Sequence, residues 1–213
     1  MKRSALIDIV SREPLFTTGM LLTPGADPKD VRKQLSRWTR DGTVVQLRRG
    51  LYALGPRYRL REPHPYEVSN ALVPASYVSL ETVLAAHGLI PEAVFSTTAV
   101  TTGRQGSRQT PFGFFVYQHI KPDLFWGYRS EPIGDGRSAL VATPEKALLD
   151  LAYLRTHSDE MAFARELRLQ NLETIDPERL GAFAERFGVK KVVRFARNVI
   201  ALRDEEREEY RGG

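Results

Sequence analysis

Residues 27–42, DPKDVRKQLSRWTRDG, restrict the fold of this chain more than any other stretch. Asp27 is a helix-capping residue, Pro28 suits the first helical position, and Gly42 stands just past the end, so a helix with both ends marked is predicted. At about 100° per residue, Val31, Leu35 and Trp38 fall in one apolar stripe about 60° wide. Lys29, Lys33, Ser36, Arg37 and Arg40 occupy the opposite arc, with Arg32 on its shoulder. Recognition of phosphate and base edges needs this arrangement: an apolar back docked on a domain, and an outward row of positive donors. Outward helix faces are commonly charged, but a merely solvated face rarely carries a single sign over three turns.

The flanks extend this reading. RSALIDIVSR (3–12) places Leu6, Ile9 and Val10 at helical spacing and ends before Pro14. LFTTGMLL (15–22) reads as a short second helix capped by Thr17 or Thr18, and TPGAD as the turn leading into the third. TVVQL and GLYAL then read as two short strands separated by Arg48 and Arg49. Three helices followed by a hairpin is the order of a winged helix-turn-helix, in which Arg48 and Arg49 on the wing would contact backbone phosphate and set register. The alternative is a basic hairpin tip that touches nothing.

Charge is distributed to suit the same reading. The chain of 213 residues carries a net charge of +5, which divides into +7 over residues 1–62 and −2 over the remainder. A basic excess confined to one segment is an electrostatic footprint for nucleic acid. No apolar run approaches the ~18 residues needed to span a bilayer. The start, MKRSALIDIVSREP, is basic and then apolar, but Asp8 interrupts it and no small-residue cleavage site follows. With no cysteine there is no disulfide and no thiolate metal site, and a cytoplasmic protein is expected.

GPRYRLREPHP (55–65), rich in Pro, Gly and Arg, marks a boundary between a domain of residues 1–62 and one of residues 63–213. In the second, SLETVLAAHG (79–88) is a predicted helix with Ser79 as cap and Gly88 as stop. AVFSTTAVTTG (93–103), FGFFVYQHI (112–120), FWGYRSEPI (125–133) and GRSALVAT (136–143) are extended candidates, the last two joined by a Gly-Asp-Gly turn, while GRQG (103–106) reads as a flexible loop. TPEKALLDLAYL (143–154) begins a helical end, with Thr143 as cap, Pro144 in the first turn and Glu145 complementing the helix dipole. SDEMAFARELRL, DPERLGAFAERFG and VKKVVRFARNVIALRDEEREEY continue it. The expected class is α+β: a winged helix-turn-helix followed by a mixed α/β domain with antiparallel strands and a helical C-terminal end.

Several of these segments resemble the AbiEi family of antitoxins. DGTVVQLRRGLYAL is similar to the family's wing, in which a glycine-started strand runs into an R-G-x-Y hairpin. YVSLETVLAAHGLIP (77–91) resembles its S-x-E/A-x-x-L-x-x-HGL helix, and TTAVTTGRQ followed by VATPEKALLDLAYL (141–154) resembles its strand and T-x-E-x-x-L-x-D-L helix. The resemblance implies an antitoxin of a bacterial two-gene toxin–antitoxin system of type IV, linked to abortive infection and phage defence. It implies repression of its own operon through inverted repeats in double-stranded promoter DNA. It also implies that the C-terminal domain counteracts a nucleotidyltransferase-like toxin, without requiring a stable complex. Two monomers side by side on an inverted repeat would suit a chain with no evident coiled-coil seam.

Catalytic chemistry finds little support. A restriction-type nuclease wants an acidic residue followed by an E/D-x-K pair on a strand. Here Glu131 is followed by Pro132 and Ile133, and Glu145-Lys146 opens a helix where capping and dipole roles account for both. Asp150 follows Glu145 at i+5, a poor spacing for a shared site. His64, His87, His119 and His157 are scattered, and there is no phosphate-binding or dinucleotide glycine fingerprint. No catalytic residue, cofactor or metal is therefore expected. Lys190, Lys191, Arg194 and Arg197 form a second basic patch on the last helix, suited to an acidic toxin surface, to flanking DNA or only to solvent. Two other readings stay open: a stand-alone regulator whose second domain binds a ligand or partner, and a nuclease-like enzyme.

Overall fold

The apolar stripe of residues 27–42 organises the first half of the structure, a computed structural model that describes residues 2–212 and their side chains through residue 208. Helix α2 runs Pro28–Arg40, with the Asp27 carboxylate accepting from the Lys29 amide at 2.7 Å and Pro28 in its first turn. Val31, Leu35 and Trp38 are its buried residues. They close a core with Leu6 and Val10 of α1 (Arg3–Val10), with Phe16 and Leu21, and with Val44, Tyr52 and Leu54 of the hairpin β2 (Val44–Arg48) and β3 (Leu51–Leu54).

Residues 15–22 do not form the expected helix. Phe16–Thr17 is a two-residue strand, β1, paired antiparallel with β3, and Thr18–Leu21 is a single 3-10 turn. The cause is local. Thr17 and Thr18 are β-branched, the Thr18 amide donates to the Gly50 carbonyl at 3.1 Å, and Phe16 stacks on Tyr52 with ring centroids 5.8 Å apart. Extending the hairpin by one strand satisfies backbone groups that so short a helix would leave open. The three strands lie in the order β1-β3-β2.

The chain divides into two compact units. The first runs through Pro74 and takes in Thr110–Phe112; the second holds Ala75–Gln109 and continues from Gly113. The first unit thus extends past residue 62 to include helix α3 (Pro65–Leu72), capped by His64, whose Nδ1 accepts from the Tyr66 amide at 3.2 Å.

The second unit is built on six strands: β4 (Ser76–Val78), β5 (Ser96–Thr101), β6 (Gly106–Thr110), β7 (Gly113–His119), β8 (Tyr128–Gly134) and β9 (Arg137–Ala142). Their order is β6-β7-β5-β4-β9-β8. The expected antiparallel pattern holds for β4–β5 and for the β8–β9 hairpin, but β4 pairs parallel with β9 and β5 parallel with β7. The stretch read as a flexible loop ends in β6, whose residues 106–109 are exposed and polar, so no alternation marks it as an edge strand. Helices α4 (Glu81–Ala86), α5 (Pro144–Leu154), α6 (Met161–Glu166), α7 (Pro177–Phe187) and α8 (Lys190–Gly212) complete the unit, with α5 in contact with α4, α7 and α8. Ser79 does not cap α4; its hydroxyl donates instead to Asp150 at 2.8 Å, and Leu80 enters the helix at a φ of 60°. Gly88 does stop it, at a φ of 64°.

The stripe makes the first unit sensitive to truncation at Leu35, which is fully buried. Leu35→Ala is expected to cost about 2–5 kcal/mol. Ser36→Ala, at the exposed neighbouring position, is expected to stay within about 0.5 kcal/mol. Urea denaturation followed by tryptophan fluorescence in a Trp126→Phe background, where Trp38 reports alone, checks both.

Candidate nucleic-acid interface

Burying the stripe turns the opposite arc of α2 outward, and Lys29, Arg32, Lys33, Ser36, Arg37 and Arg40 are all exposed. Arg32 Nε donates to the Pro28 carbonyl at 3.0 Å and Arg40 Nε to the Ser36 carbonyl at 3.4 Å. Both bonds lie along the helix and leave the terminal guanidinium nitrogens outward. The face is not purely cationic: Asp30, in the first turn, is exposed as well. It lies beyond Arg37 by only about 20° of helical arc, where it complements the positive end of the helix dipole.

The wing separates its two arginines. Arg48 Nε and Nη2 donate to the Ala71 carbonyl at 3.2 and 3.0 Å, and Nη1 donates to the Arg49 carbonyl at 3.2 Å. Ala71 lies in the last turn of α3, where a cation meets the negative end of the helix dipole and an otherwise open carbonyl. Arg48 therefore ties the wing to α3, while Arg49, at the turn, extends into solvent with no side-chain partner among the described residues. Gly50 closes the turn at a φ of 81°, a backbone that other residues adopt only with strain, and the register slips between Gln46 and Arg48.

Helix, strand, 3-10 turn, exposed cationic helix and two-stranded wing, in that order, define a winged helix-turn-helix. Residues 4–55, from α1 through β3, match the family model described as transcriptional regulator, AbiEi antitoxin. The RV2827C protein from Mycobacterium tuberculosis, known from a crystal structure, is similar at a TM-score of 0.54 over 93% of this chain and 79% of that chain. At 15% identity that likeness is one of fold. No curated protein matches the chain.

The second unit hides a polar cluster that sequence reasoning missed. Eight consecutive residues of α5, from Glu145 to Ala152, are buried; Glu145 lies in the first turn as the dipole reading expects, but both it and Lys146 are enclosed, which capping and dipole roles do not account for. Lys146 pairs with Asp150 one turn on, and Tyr77 donates to Asp150 at 3.0 Å while accepting from Lys146 Nζ at 2.8 Å. Glu145 turns elsewhere, accepting from Arg179 at 2.7 Å and from the Asp176 amide at 3.3 Å. The Lys146 ammonium also lies 5.0 Å from the Trp126 ring and 4.7 Å from that of Phe187. Gly127 lies so close that a Cβ there would stand 2.9 Å from the lysine stem. Burial pushes the Asp150 carboxyl up and the Lys146 ammonium down, each opposed by the attraction of the other; burial, then the Asp150 charge, pushes the Tyr77 phenol up. The signal available in the sequence was the i, i+4 spacing of Lys146 and Asp150 inside an otherwise apolar helix. Tyr77 and Ser79, two residues apart, share one side of an extended segment.

Among the described residues no group of three or more His, Asp or Glu could hold a metal ion, and no helix is long and apolar enough to cross a membrane. His64 caps α3, His87 ends α4, His119 faces the Gly103 carbonyl and His157 faces Glu160.

Removing one partner of the buried pair leaves the other charged and uncompensated. Asp150→Ala is expected to cost about 3–5 kcal/mol. Lys146→Met combined with Asp150→Ala is expected to cost less than the sum of the single changes, in a double-mutant cycle read by urea denaturation.

Proposed function

We propose that this chain is a DNA-binding autoregulator of a toxin–antitoxin operon. The winged helix of residues 1–62 would bind inverted repeats in its own promoter, and residues 63–213 would counteract a nucleotidyltransferase-like toxin. The observation that carries the DNA reading is the outward row of cations on α2, backed by a stripe buried against the rest of the winged helix. The antitoxin reading rests on the description of the family that residues 4–55 match.

In this reading α2 enters the major groove, with Lys29, Lys33, Ser36, Arg37 and Arg40 toward base edges and Arg32 toward phosphate. Arg49 takes backbone phosphate, and Arg48 contributes by holding the wing against α3. Monomers pair side by side on the two halves of the repeat, and no catalytic group takes part.

Binding to duplex from the DNA upstream of the coding sequence, measured by fluorescence anisotropy across a salt series, tests this. Log affinity should fall steeply with log salt, and Arg49→Ala should flatten the slope by about one unit. Arg37→Ala should cost about 1–3 kcal/mol on the promoter fragment and less on unrelated duplex. A wild-type affinity equal on promoter and unrelated DNA, or slopes unchanged by Arg49→Ala, would remove the assignment. For the antitoxin half, co-expression with the product of a neighbouring nucleotidyltransferase-like gene should restore growth that the latter alone arrests.

A further inference from the structure

One sheet face of the second unit is covered by α4 at β5, where Thr82 bonds to Thr98, but is left partly exposed along β7. On β7 the buried Phe115 and Tyr117 point to one side, so Phe114, Val116 and Gln118 point to the other. Ser96 and Thr98 of β5, paired with Phe114 and Val116, continue that surface. It forms the floor of an open groove of about 1190 Å³. Leu84 of α4, Leu151 of α5, Phe163 of α6 and Leu167 complete its apolar lining. At its mouth Phe95 is 94% exposed, the most exposed of the large hydrophobic side chains, and Phe114 is 41% exposed. Large apolar side chains gathered at a groove, rather than scattered, mark a surface that is covered in use.

Charge and dimensions say what covers it. The lining contains three carboxylates, Glu81, Glu92 and Glu166, against one guanidinium, Arg155; Glu81 is paired with Arg155 at 2.8 Å and Glu92 with Arg168 at 3.9 Å, so Glu166 is the carboxylate left without an ion pair among the described residues. That balance repels phosphate and favours a cationic partner. Three adjacent strands present a strip about 10 Å across, and an α-helix with its side chains is about 10–12 Å wide. The seven residues of β7 run about 23 Å, the length of about 15 helical residues. We propose that this groove docks an amphipathic α-helix of a partner protein, apolar on the face it presents and carrying lysine or arginine along its flanks. Docked there, the helix covers the exposed β7 side of the sheet, in the manner of helix-in-groove recognition. The proposal is independent of DNA binding by the first unit.

The probe is a fluorescein-labelled peptide of about 15 residues, with leucine at i, i+3, i+4 and i+7 and lysine at the flanking positions, titrated into the full-length protein. A twin peptide carries glutamate in place of lysine. The lysine peptide should saturate, and its twin should bind at least about tenfold more weakly. Phe95→Glu, at a position outside the core, should weaken the lysine peptide by at least about tenfold with melting unchanged. Glu92→Lys with Glu166→Lys should reverse the preference between the twins, which a merely sticky surface would not do. Failure of the lysine peptide to saturate, equal binding of the twins, or indifference to Phe95→Glu would overturn the proposal. So would a concentration-dependent dimer abolished by Phe95→Glu, which would give the groove to a second copy of the chain. DNA affinity measured on the same variants should not change, so failure here leaves the DNA reading untouched.

Discussion

The first unit depends on the burial of Val31, Leu35 and Trp38 against α1 and the hairpin. Each of these side chains contributes roughly 1.5–3 kcal/mol by leaving water, far more than exposed charges return by interacting with one another. The stripe therefore sets the rotation of α2, and the cations occupy whatever face remains. Specific placement of Lys29, Lys33, Arg37 and Arg40 is a consequence of apolar packing on the other side of the same helix. Backbone effects reinforce it: the Asp27 cap and Pro28 fix where the helix begins, and so fix the phase of every residue after them.

The second unit solves a different problem. Its central helix α5 is buried along most of its length, yet three of those buried residues are ionisable. Desolvating Lys146 and Asp150 costs several kcal/mol per ion, and the Tyr77 and Ser79 hydroxyls offset part of that by completing the carboxylate's hydrogen bonds. Such a cluster adds little net stability, but it ties β4 to α5 at one register, since a shift of either would strand a charge. The same helix reaches the groove, which Leu151 and Leu154 line.

Much of the first unit was legible in the sequence because each signal was local. Asp27, Pro28 and Gly42 mark helix ends through their own backbone preferences, and the stripe is a matter of angle. Residues 15–22 were not legible: a strand of two residues has no periodicity, and its pairing with β3 is a tertiary event. Arg48 and Arg49 look equivalent in sequence, and only the position of the Ala71 carbonyl distinguishes the strut from the exposed cation. In the second unit the hairpin β8–β9 announced itself through Gly134-Asp135-Gly136, whereas the parallel pairs rest on long connections that no short pattern encodes. The burial of Lys146 was hidden for the same reason, since its partners Tyr77 and Trp126 are distant in the chain.

The two units thus offer chemically opposite surfaces, a cationic helix face on one and an acidic, apolar groove on the other. The central claim is that nucleic acid meets the first of these. Lysine acetylation of the full-length protein, with and without duplex from its own upstream region and read residue by residue by mass spectrometry, tests it directly. The account predicts that DNA protects Lys29 and Lys33 while Lys190 and Lys191 of α8 stay equally reactive. Protection of Lys190 and Lys191 with Lys29 and Lys33 unprotected would contradict it.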